Sequence, residues 1–244
     1  MLRRLLVLSF LVVLSASAGD LPPYLKEALS HFNPAIPPDL AYTITTQRDS
    51  EISVERFDPS LAGERQWTLL QRNHRPATAE ENARYGSYRI TTSPSTHAAF
   101  SCGDIDPNTL RLIHEDEDLA EFRAKFREDI KDPMLHQLEL QLTVSKHRAA
   151  IERFVLVLTA PYSPVLTVKM LELRVETTLG TAVQDCPALP VRVTSRFRGR
   201  VFFFKSIEED IQTSYSDFTS VRSLRPTPES TTPAGNNEKR PEVD

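Results

Sequence analysis

The sequence predicts a mainly β protein: one curved antiparallel sheet, an open half-barrel of about ten strands, with one or two packing helices. Short stretches that alternate apolar and polar residues recur along the chain and are separated by turn residues. One amphipathic helix precedes them and needs a sheet on which to bury its apolar side. The strongest alternation lies in residues 189–218, where mostly apolar odd positions alternate with even positions that begin Arg192, Thr194, Arg196, Arg198 and Arg200.

Residues 1–18 have the pattern of a cleaved export signal. Two arginines precede an apolar run at residues 5–14, and Ala16-Ser17-Ala18 forms a small-residue cleavage pattern before Gly19. A membrane anchor is the alternative, but a spanning helix needs about 20 apolar residues. No later segment is apolar enough to span a membrane as a helix. We therefore expect a periplasmic or secreted protein with no transmembrane segment after signal cleavage.

Charge and length limit the partners and the number of domains. The chain of 244 residues has a net charge of −4, and loss of the two signal arginines makes it −6. An acidic chain has no general attraction for nucleic acid, so no nucleic-acid partner is expected. Residues 19–224 are expected to form a single β-rich domain. Residues 225–244 have almost no apolar content and are expected to be a disordered polar tail.

The chain has two cysteines, Cys102 and Cys186. In an exported protein they can form a disulfide, and closing so long a loop would stabilise the fold by about 4 kcal/mol. Two reduced, buried thiols are the alternative, because the sequence does not show that the two sites are adjacent.

The first half of the chain predicts two helices and a group of strands. Residues 21–32 place Leu25, Ala28, Leu29 and Phe32 on one side of a helix that prolines begin and end. Thr78 and Glu81 form a capping box for a second helix, expected to run to Tyr85 or Tyr88. Residues 91–109 are expected to be a long loop. Strands are predicted at residues 40–48, 51–58 and 66–72.

The second half predicts strands alone. A helix is the competing interpretation for residues 120–126, but their strict alternation favours a strand. Residues 154–158 are continuously apolar, which indicates burial on both faces. Residues 189–218 are interpreted as two long strands joined by an acidic turn, and the three phenylalanines at 202–204 as aromatics on both faces. The remaining strands are predicted at residues 110–114, 138–144, 151–159 and 167–178.

Patterns of catalytic or metal-binding residues are missing from the sequence. There is no G-x-S-x-G motif, neither cysteine has the context of a catalytic thiol, and the six histidines are scattered without an H-x-x-x-H pair. We therefore expect a protein that is not an enzyme, with no metal and no cofactor. Asp104, Asp106, Asn108 and Glu115 have the spacing of a calcium loop. However, Thr109 replaces the required glycine, and a turn leading into a strand is the preferred interpretation.

The even-numbered arginines of residues 189–218 allow two interpretations. Arg192, Arg196, Arg198 and Arg200 could form a surface that binds anions. Cross-strand pairing with acidic neighbours such as Glu172, Glu176 or Glu209 is preferred, because the protein is acidic overall.

Two segments resemble a known family. One runs from Glu55-Arg56-Phe57-Asp58-Pro59 through Trp67 to the capping box, and the other covers residues 196–205 and 215–218. Together they resemble uncharacterised secreted proteins of Gram-negative bacteria that are similar to the LolA/LolB-like superfamily of periplasmic lipoprotein carriers. The resemblance implies an antiparallel half-barrel closed by helices, whose apolar concave face shelters acyl chains. It transfers no ligand-binding residue.

Two functional hypotheses follow. The first is a carrier-like binding protein for an apolar ligand, with a lipid, an acyl chain or a lipoprotein as partner. The second is an envelope protein that binds another protein, with a filled core and no ligand. The candidate ligand-binding residues form the apolar side of the first strand in residues 189–218, and they are Val191, Val193, Phe197, Val201 and Phe203.

Overall fold

A computed structural model describes residues 21–92, 100–180, 188–202 and 204–221, and twelve strands within these ranges form one antiparallel sheet. The mainly β class and the single open sheet are confirmed. The helices are α1 (Pro23–His31) and α2 (Ala79–Thr92). The strands are β1 (Leu40–Arg48), β2 (Glu51–Phe57), β3 (Trp67–Arg72), β4 (Arg75–Pro76), β5 (Arg111–Glu115), β6 (Leu119–Lys125), β7 (Leu138–Ser145), β8 (Ala150–Leu158), β9 (Tyr162–Val165), β10 (Val168–Gly180), β11 (Leu189–Val201) and β12 (Lys205–Ser220).

The order of strands places the last part of the chain at the centre of the sheet. Neighbouring strands follow the order β4-β3-β2-β1-β12-β11-β10-β8-β7-β6-β5, and β9 pairs with β10 beside this path. The sheet is open, because β4 and β5 end this path on opposite sides. β1 and β12 pair, so the first and last strands join the two halves of the sheet.

A first core lies between α1 and the β5–β8 half of the sheet. Leu25 and Ala28 of α1 are buried against it, and the ring of Phe32 lies 5.7 Å from that of Phe154 in an edge-on arrangement. The strand β7 supplies buried side chains at every second position from Leu138 to Val144. The prediction that the first helix buries its apolar side on the sheet is therefore confirmed.

A second core lies beneath α2, on the β1–β3 half of the sheet. It contains Ile36, Leu40, Tyr42, Ile44, Trp67 and Leu189. Asn82 of α2 accepts a hydrogen bond from the backbone N–H of Leu69 (2.8 Å), which attaches the helix to β3. Gly86 allows the close approach of α2 to the short helical turn Gly63–Gln66 that precedes β3, because a Cβ at position 86 would lie 2.7 Å from the carbonyl oxygen of Glu64. Within the described ranges, no helix combines the length and apolar character needed to cross a membrane.

The predicted capping box of α2 is present. The N–H of Glu81 donates to the Thr78 hydroxyl (3.2 Å), and the N–H of Thr78 donates to the Glu81 carboxylate (2.9 Å). Arg75 forms two further hydrogen bonds with the same carboxylate. The bonds from Arg75, followed by that from Thr78, lower the pKa of Glu81 to about 2. The helix continues to Thr92, beyond the predicted end at Tyr85 or Tyr88 and into the expected loop.

The central strands project beyond their neighbours at one end of the sheet. The pairing of β12 with β1 begins at Ile211, and the pairing of β10 with β8 begins at Arg174. About six residues of each strand therefore extend past these points, which corresponds to roughly 20 Å at ~3.3 Å per residue. We call this projection the tongue; it comprises residues 162–173 and 197–210 apart from residue 203.

The acidic turn predicted within residues 189–218 is wrong. Glu208 and Asp210 lie inside β12, where they stand opposite Arg198 and Arg196 of β11. The chain instead turns at Phe202 and Phe204, and Phe202 adopts a positive φ of 52°. The expectation that these aromatics pack on both faces is also wrong for Phe202 and Phe204, which are exposed at the turn. Cross-strand charge pairing explains the difference, because the acidic residues continue the polar face of the hairpin.

The other strand predictions agree with the structure. Residues 120–126, for which a helix was the alternative, lie in β6 up to Lys125. Phe154, Val155 and Leu156 of β8 are buried in succession, as expected for burial on both faces. The short strands β4 and β9 were not predicted, because a two-residue and a four-residue strand that each contain proline carry no alternation.

Candidate functional site

The predicted ligand-binding side of β11 is the half-buried side of the strand. Val191, Val193, Phe197 and Val201 are all half-buried, whereas the arginines between them are exposed. Phe203, the fifth predicted residue, lies outside the described residues. Val191 stands at a bulge between β10 and β11, with its side chain against the backbone of Gly180.

Strand register extends this apolar side across three strands. Leu173 stands opposite Phe197, Val168 opposite Val201, and Ile211 opposite Ser195 of the same face. These neighbours were not predicted as site residues, because register depends on long-range pairing that alternation within one strand does not reveal. We call the resulting surface the apolar stripe; it comprises Val168, Met170, Leu173, Val175, Val193, Phe197, Val201, Ile207 and Ile211, all of which are half-buried.

The apolar stripe lies between the two cores. Leu173 and Val175 pack against the margin of the first core. The remaining members belong to neither core, although they share one face of the sheet. α1 packs on β7 and β8, and α2 packs on β3, so the two helices cover the halves of the sheet on either side of the stripe. A half-buried apolar surface on the inner side of a sheet is a site that an apolar ligand can cover.

Phe197 has a defined position within the apolar stripe. A Cβ at Gly199 would lie 2.7 Å from the Cζ atom of Phe197 and 2.9 Å from the carbonyl oxygen of Lys169. The phenyl ring therefore lies across Gly199 on the stripe side of β11. Any larger residue at position 199 would displace the ring, which makes Gly199 a positioning residue for the stripe.

Ion pairs form the polar margin of the stripe on the α2 side. Glu209, opposite Phe197, is bonded to Arg48 of β1. Deeper under α2, Arg89 donates to the buried carboxylate of Glu55 through two nitrogens (2.6 and 3.0 Å). The same guanidinium lies 4.5 Å from the centre of the Trp67 ring. The Glu55 carboxylate is thus held by a neighbouring cation in the structure, which suits a structural role better than proton transfer.

Aromatic rings surround this ion pair. Burial raises the pKa of Tyr215 to about 12, and burial together with the charge of Glu55 raises that of Tyr85 far above its ordinary value. The ring of Tyr42 lies tilted against those of Tyr215 and Phe57, at ring-centre distances of 6.0 and 5.1 Å. Both tyrosines with raised pKa values therefore remain neutral at physiological pH and contribute apolar surface, and the Tyr85 hydroxyl accepts a hydrogen bond from Arg89 (3.0 Å).

The outer face of the central strands is polar. Arg196 donates to Asp210 (2.9 Å), and Arg198 contacts both Glu208 (2.6 Å) and Glu172 (3.6 Å). The preferred interpretation of these two arginines, cross-strand pairing with acidic neighbours, is therefore confirmed. A groove of ≈ 440 Å³ on this face is lined by residues of both charges, including Arg174, Arg196 and Asp210.

The first three residues with calcium-loop spacing form two turns ahead of β5, in agreement with the preferred interpretation of a turn leading into a strand. The carboxylate of Asp104 accepts the N–H of Ser101 (2.6 Å), and that of Asp106 accepts the N–H of Asn108 (3.0 Å). In the part of the chain that the structure describes, no group of three or more His, Cys, Asp or Glu residues is placed to hold a metal ion.

Cys102 lies beside α1. Its thiol donates to the carbonyl oxygen of Leu29 (3.2 Å), and burial raises its pKa. Cys186 lies outside the described residues, so the disulfide between them stays a prediction. Labelling of thiols in the exported protein before and after reduction tests it.

Comparisons with known proteins give a structural likeness without a close relative. No protein-family model and no curated protein sequence matches the chain. A LolA superfamily protein from Nitrosomonas europaea is similar in structure, with 14% sequence identity, a TM-score of 0.36, and coverage of 80% of this chain and 91% of that chain.

Proposed function

We propose that this chain is a periplasmic or secreted, non-enzymatic binding protein for an apolar ligand such as a lipid acyl chain. The observation that carries the proposal is the apolar stripe, whose β11 and β12 members are half-buried yet belong to neither core. A side chain in a completed core is normally fully buried, so this surface lacks a packing partner that a ligand can supply.

The dimensions of the apolar stripe suit an extended hydrocarbon. Along β11 it runs from Val193 to Val201, eight steps of ~3.3 Å, or about 26 Å. One leaflet of a bilayer has a hydrocarbon thickness of about 15 Å, so a lipid tail fits along the strand. The polar groups at the margin, Arg48 and Glu209, are already bonded to each other. The stripe therefore offers apolar contact as its main source of affinity, which favours a class of lipids over one particular head group.

Native mass spectrometry of the protein purified from its own envelope fraction tests the proposal, with a co-purifying lipid as the expected result. Delipidated protein should also bind a fluorescent fatty acid, and Phe197→Ser should weaken that binding about tenfold by removing buried apolar area. Arg192→Ser, on the exposed side of the same strand, is the matched control and should bind as the parent does. A protein that carries no lipid and binds no fatty acid would overturn the proposal and favour the alternative, an envelope protein that binds another protein.

Export is tested separately. The sequence predicts cleavage after Ala18, so N-terminal sequencing of the protein from a periplasmic or secreted fraction should begin at Gly19. Recovery of the uncleaved chain from the membrane fraction would contradict this part of the proposal.

A further inference from the structure

The tip of the tongue exposes large apolar side chains. Leu166, in the turn between β9 and β10, and Phe204, in the turn between β11 and β12, are each 85% exposed. Val165 and Phe202 beside them are more than half exposed. The two turns are adjacent, because the N–H of Phe202 donates to the carbonyl oxygen of Thr167 (2.7 Å). Four apolar side chains thus share the far end of a projection of roughly 20 Å.

The charges around this tip are all positive. Lys169 stands opposite Arg200 in the strand register, and Lys205 stands opposite Val201. Residues 162–171 and 199–207 contain no aspartate or glutamate, although the whole chain has a net charge of −4. A groove of ≈ 310 Å³ is lined by Ser163, Leu166, Thr167, Lys169 and Arg200, so an exposed leucine and two cations border one space.

We propose that the tip of the tongue is a contact site for the surface of an anionic lipid bilayer. Leu166 and Phe204 enter the boundary between head groups and acyl chains, and Lys169, Arg200 and Lys205 contact lipid phosphates. Apolar and aromatic side chains ringed by lysine and arginine match the apolar and anionic layers of such a surface. A protein partner is less suited to this tip, because an exposed ring on a narrow projection buries little area against a flat protein surface. The inference is independent of the ligand proposed above.

Flotation of the exported, purified protein with vesicles tests this inference. Binding is expected to equimolar phosphatidylcholine and phosphatidylglycerol vesicles, and much less to phosphatidylcholine alone. Leu166→Ser combined with Phe204→Ser should weaken binding by at least about tenfold. Lys169→Gln combined with Arg200→Gln should weaken it roughly 25-fold, since each lost cation accounts for about fivefold. Leu112→Ser combined with Ile113→Ser, at exposed apolar positions of β5, is the matched control and should leave binding unchanged.

A fluorescent reporter separates insertion from simple adhesion. Trp67 is buried, so Phe204→Trp places a second, exposed indole at the tip. Its emission should shift to shorter wavelength on the anionic vesicles and be quenched by brominated acyl chains, whereas Leu112→Trp should not respond. Absence of vesicle binding at low salt, or binding that the tip variants leave intact, would overturn the inference. Self-association that the tip variants abolish, with no binding to vesicles, would also overturn it and assign the tip to a second copy of the chain.

Discussion

The ion pair between Arg89 of α2 and Glu55 of β2 is predicted to be a main attachment of the helix to the sheet. The side chains are 15% and 6% exposed, so the pair has little screening from water. Arg89→Leu removes both hydrogen bonds to Glu55, a hydrogen bond to the Tyr85 hydroxyl (3.0 Å) and the contact with Trp67. The Ser53 hydroxyl, which donates to the Glu55 carboxylate (3.1 Å), keeps its bond but does not replace the lost positive charge.

The expected loss of unfolding free energy is about 3–5 kcal/mol, because a buried carboxylate is left without its cation. That is a large share of the roughly 5–15 kcal/mol by which single domains are stable. Arg89→Leu combined with Glu55→Leu should recover at least about 2 kcal/mol of the loss, since no unpaired charge remains. Arg84→Leu, which removes an exposed pair with Glu80 in the same helix, should change the stability by no more than about 0.5 kcal/mol.

Urea unfolding followed by far-ultraviolet circular dichroism and by Trp67 fluorescence measures all four proteins. Trp67 reports directly on the second core, so the two signals should coincide if the domain unfolds in one step. Equal stability of Arg89→Leu and Arg84→Leu would refute the assigned role of the pair. A double variant that is no more stable than Arg89→Leu would refute the explanation by an unpaired carboxylate.

Three further predictions concern α2 and the second core. Gly86→Ala should destabilise the fold by about 1–3 kcal/mol in urea unfolding, because its Cβ would meet the carbonyl oxygen of Glu64; an unchanged midpoint would contradict this. The pKa of Glu81 in the folded protein is about 2, below the ordinary 4.5, so the ionised carboxylate stabilises the fold above pH 4.5 and this stabilisation is lost as the pH falls toward 2. The difference in stability between the parent and Glu81→Gln should therefore shrink over this range, and a constant difference would count against this role. The pKa of Tyr215 in the folded protein is about 12, above the ordinary 10, so the stability of the parent should fall as the pH rises from 10 to 12. Tyr215→Phe should lose less stability over this range, and identical stability profiles of the two proteins would exclude a contribution from Tyr215.

Alternation predicted which segments become strands, and it failed where charge pairing and strand register decide the outcome. Residues 189–218 form the expected hairpin, but the turn was placed at the acidic residues because acidic runs are typical of solvated turns. In the structure Glu208 and Asp210 have arginines opposite them, so the strand continues through them, and the turn falls at Phe202 and Phe204. The alternation within one strand does not reveal the position of the turn, because that position depends on which residues face each other across two strands.

For the candidate site too, positions within one strand could be predicted from the sequence, whereas pairing between strands could not. Val193, Phe197 and Val201 were found from one strand, because the period of two places them on one face. Leu173 and Ile211, which complete the apolar stripe, belong to strands whose register is set by distant pairing. The tongue could not be found from either strand alone. It arises because β10, β11 and β12 have 13, 13 and 16 residues, whereas β1 and β8 beside them have nine each.

The apolar stripe and the tip of the tongue are continuous along β11, and this continuity decides how the two proposals can be told apart. Phe197 and Val201 lie within the tongue, and Phe202 follows Val201 directly at the tip, so the stripe reaches the surface proposed to contact the bilayer. If the two sites act separately, Phe197→Ser should lose fatty-acid binding in solution and keep binding to anionic vesicles. The tip variant, Leu166→Ser with Phe204→Ser, should show the opposite result. If each variant instead loses both activities, the stripe and the tip act as one apolar surface that serves ligand binding and membrane contact together.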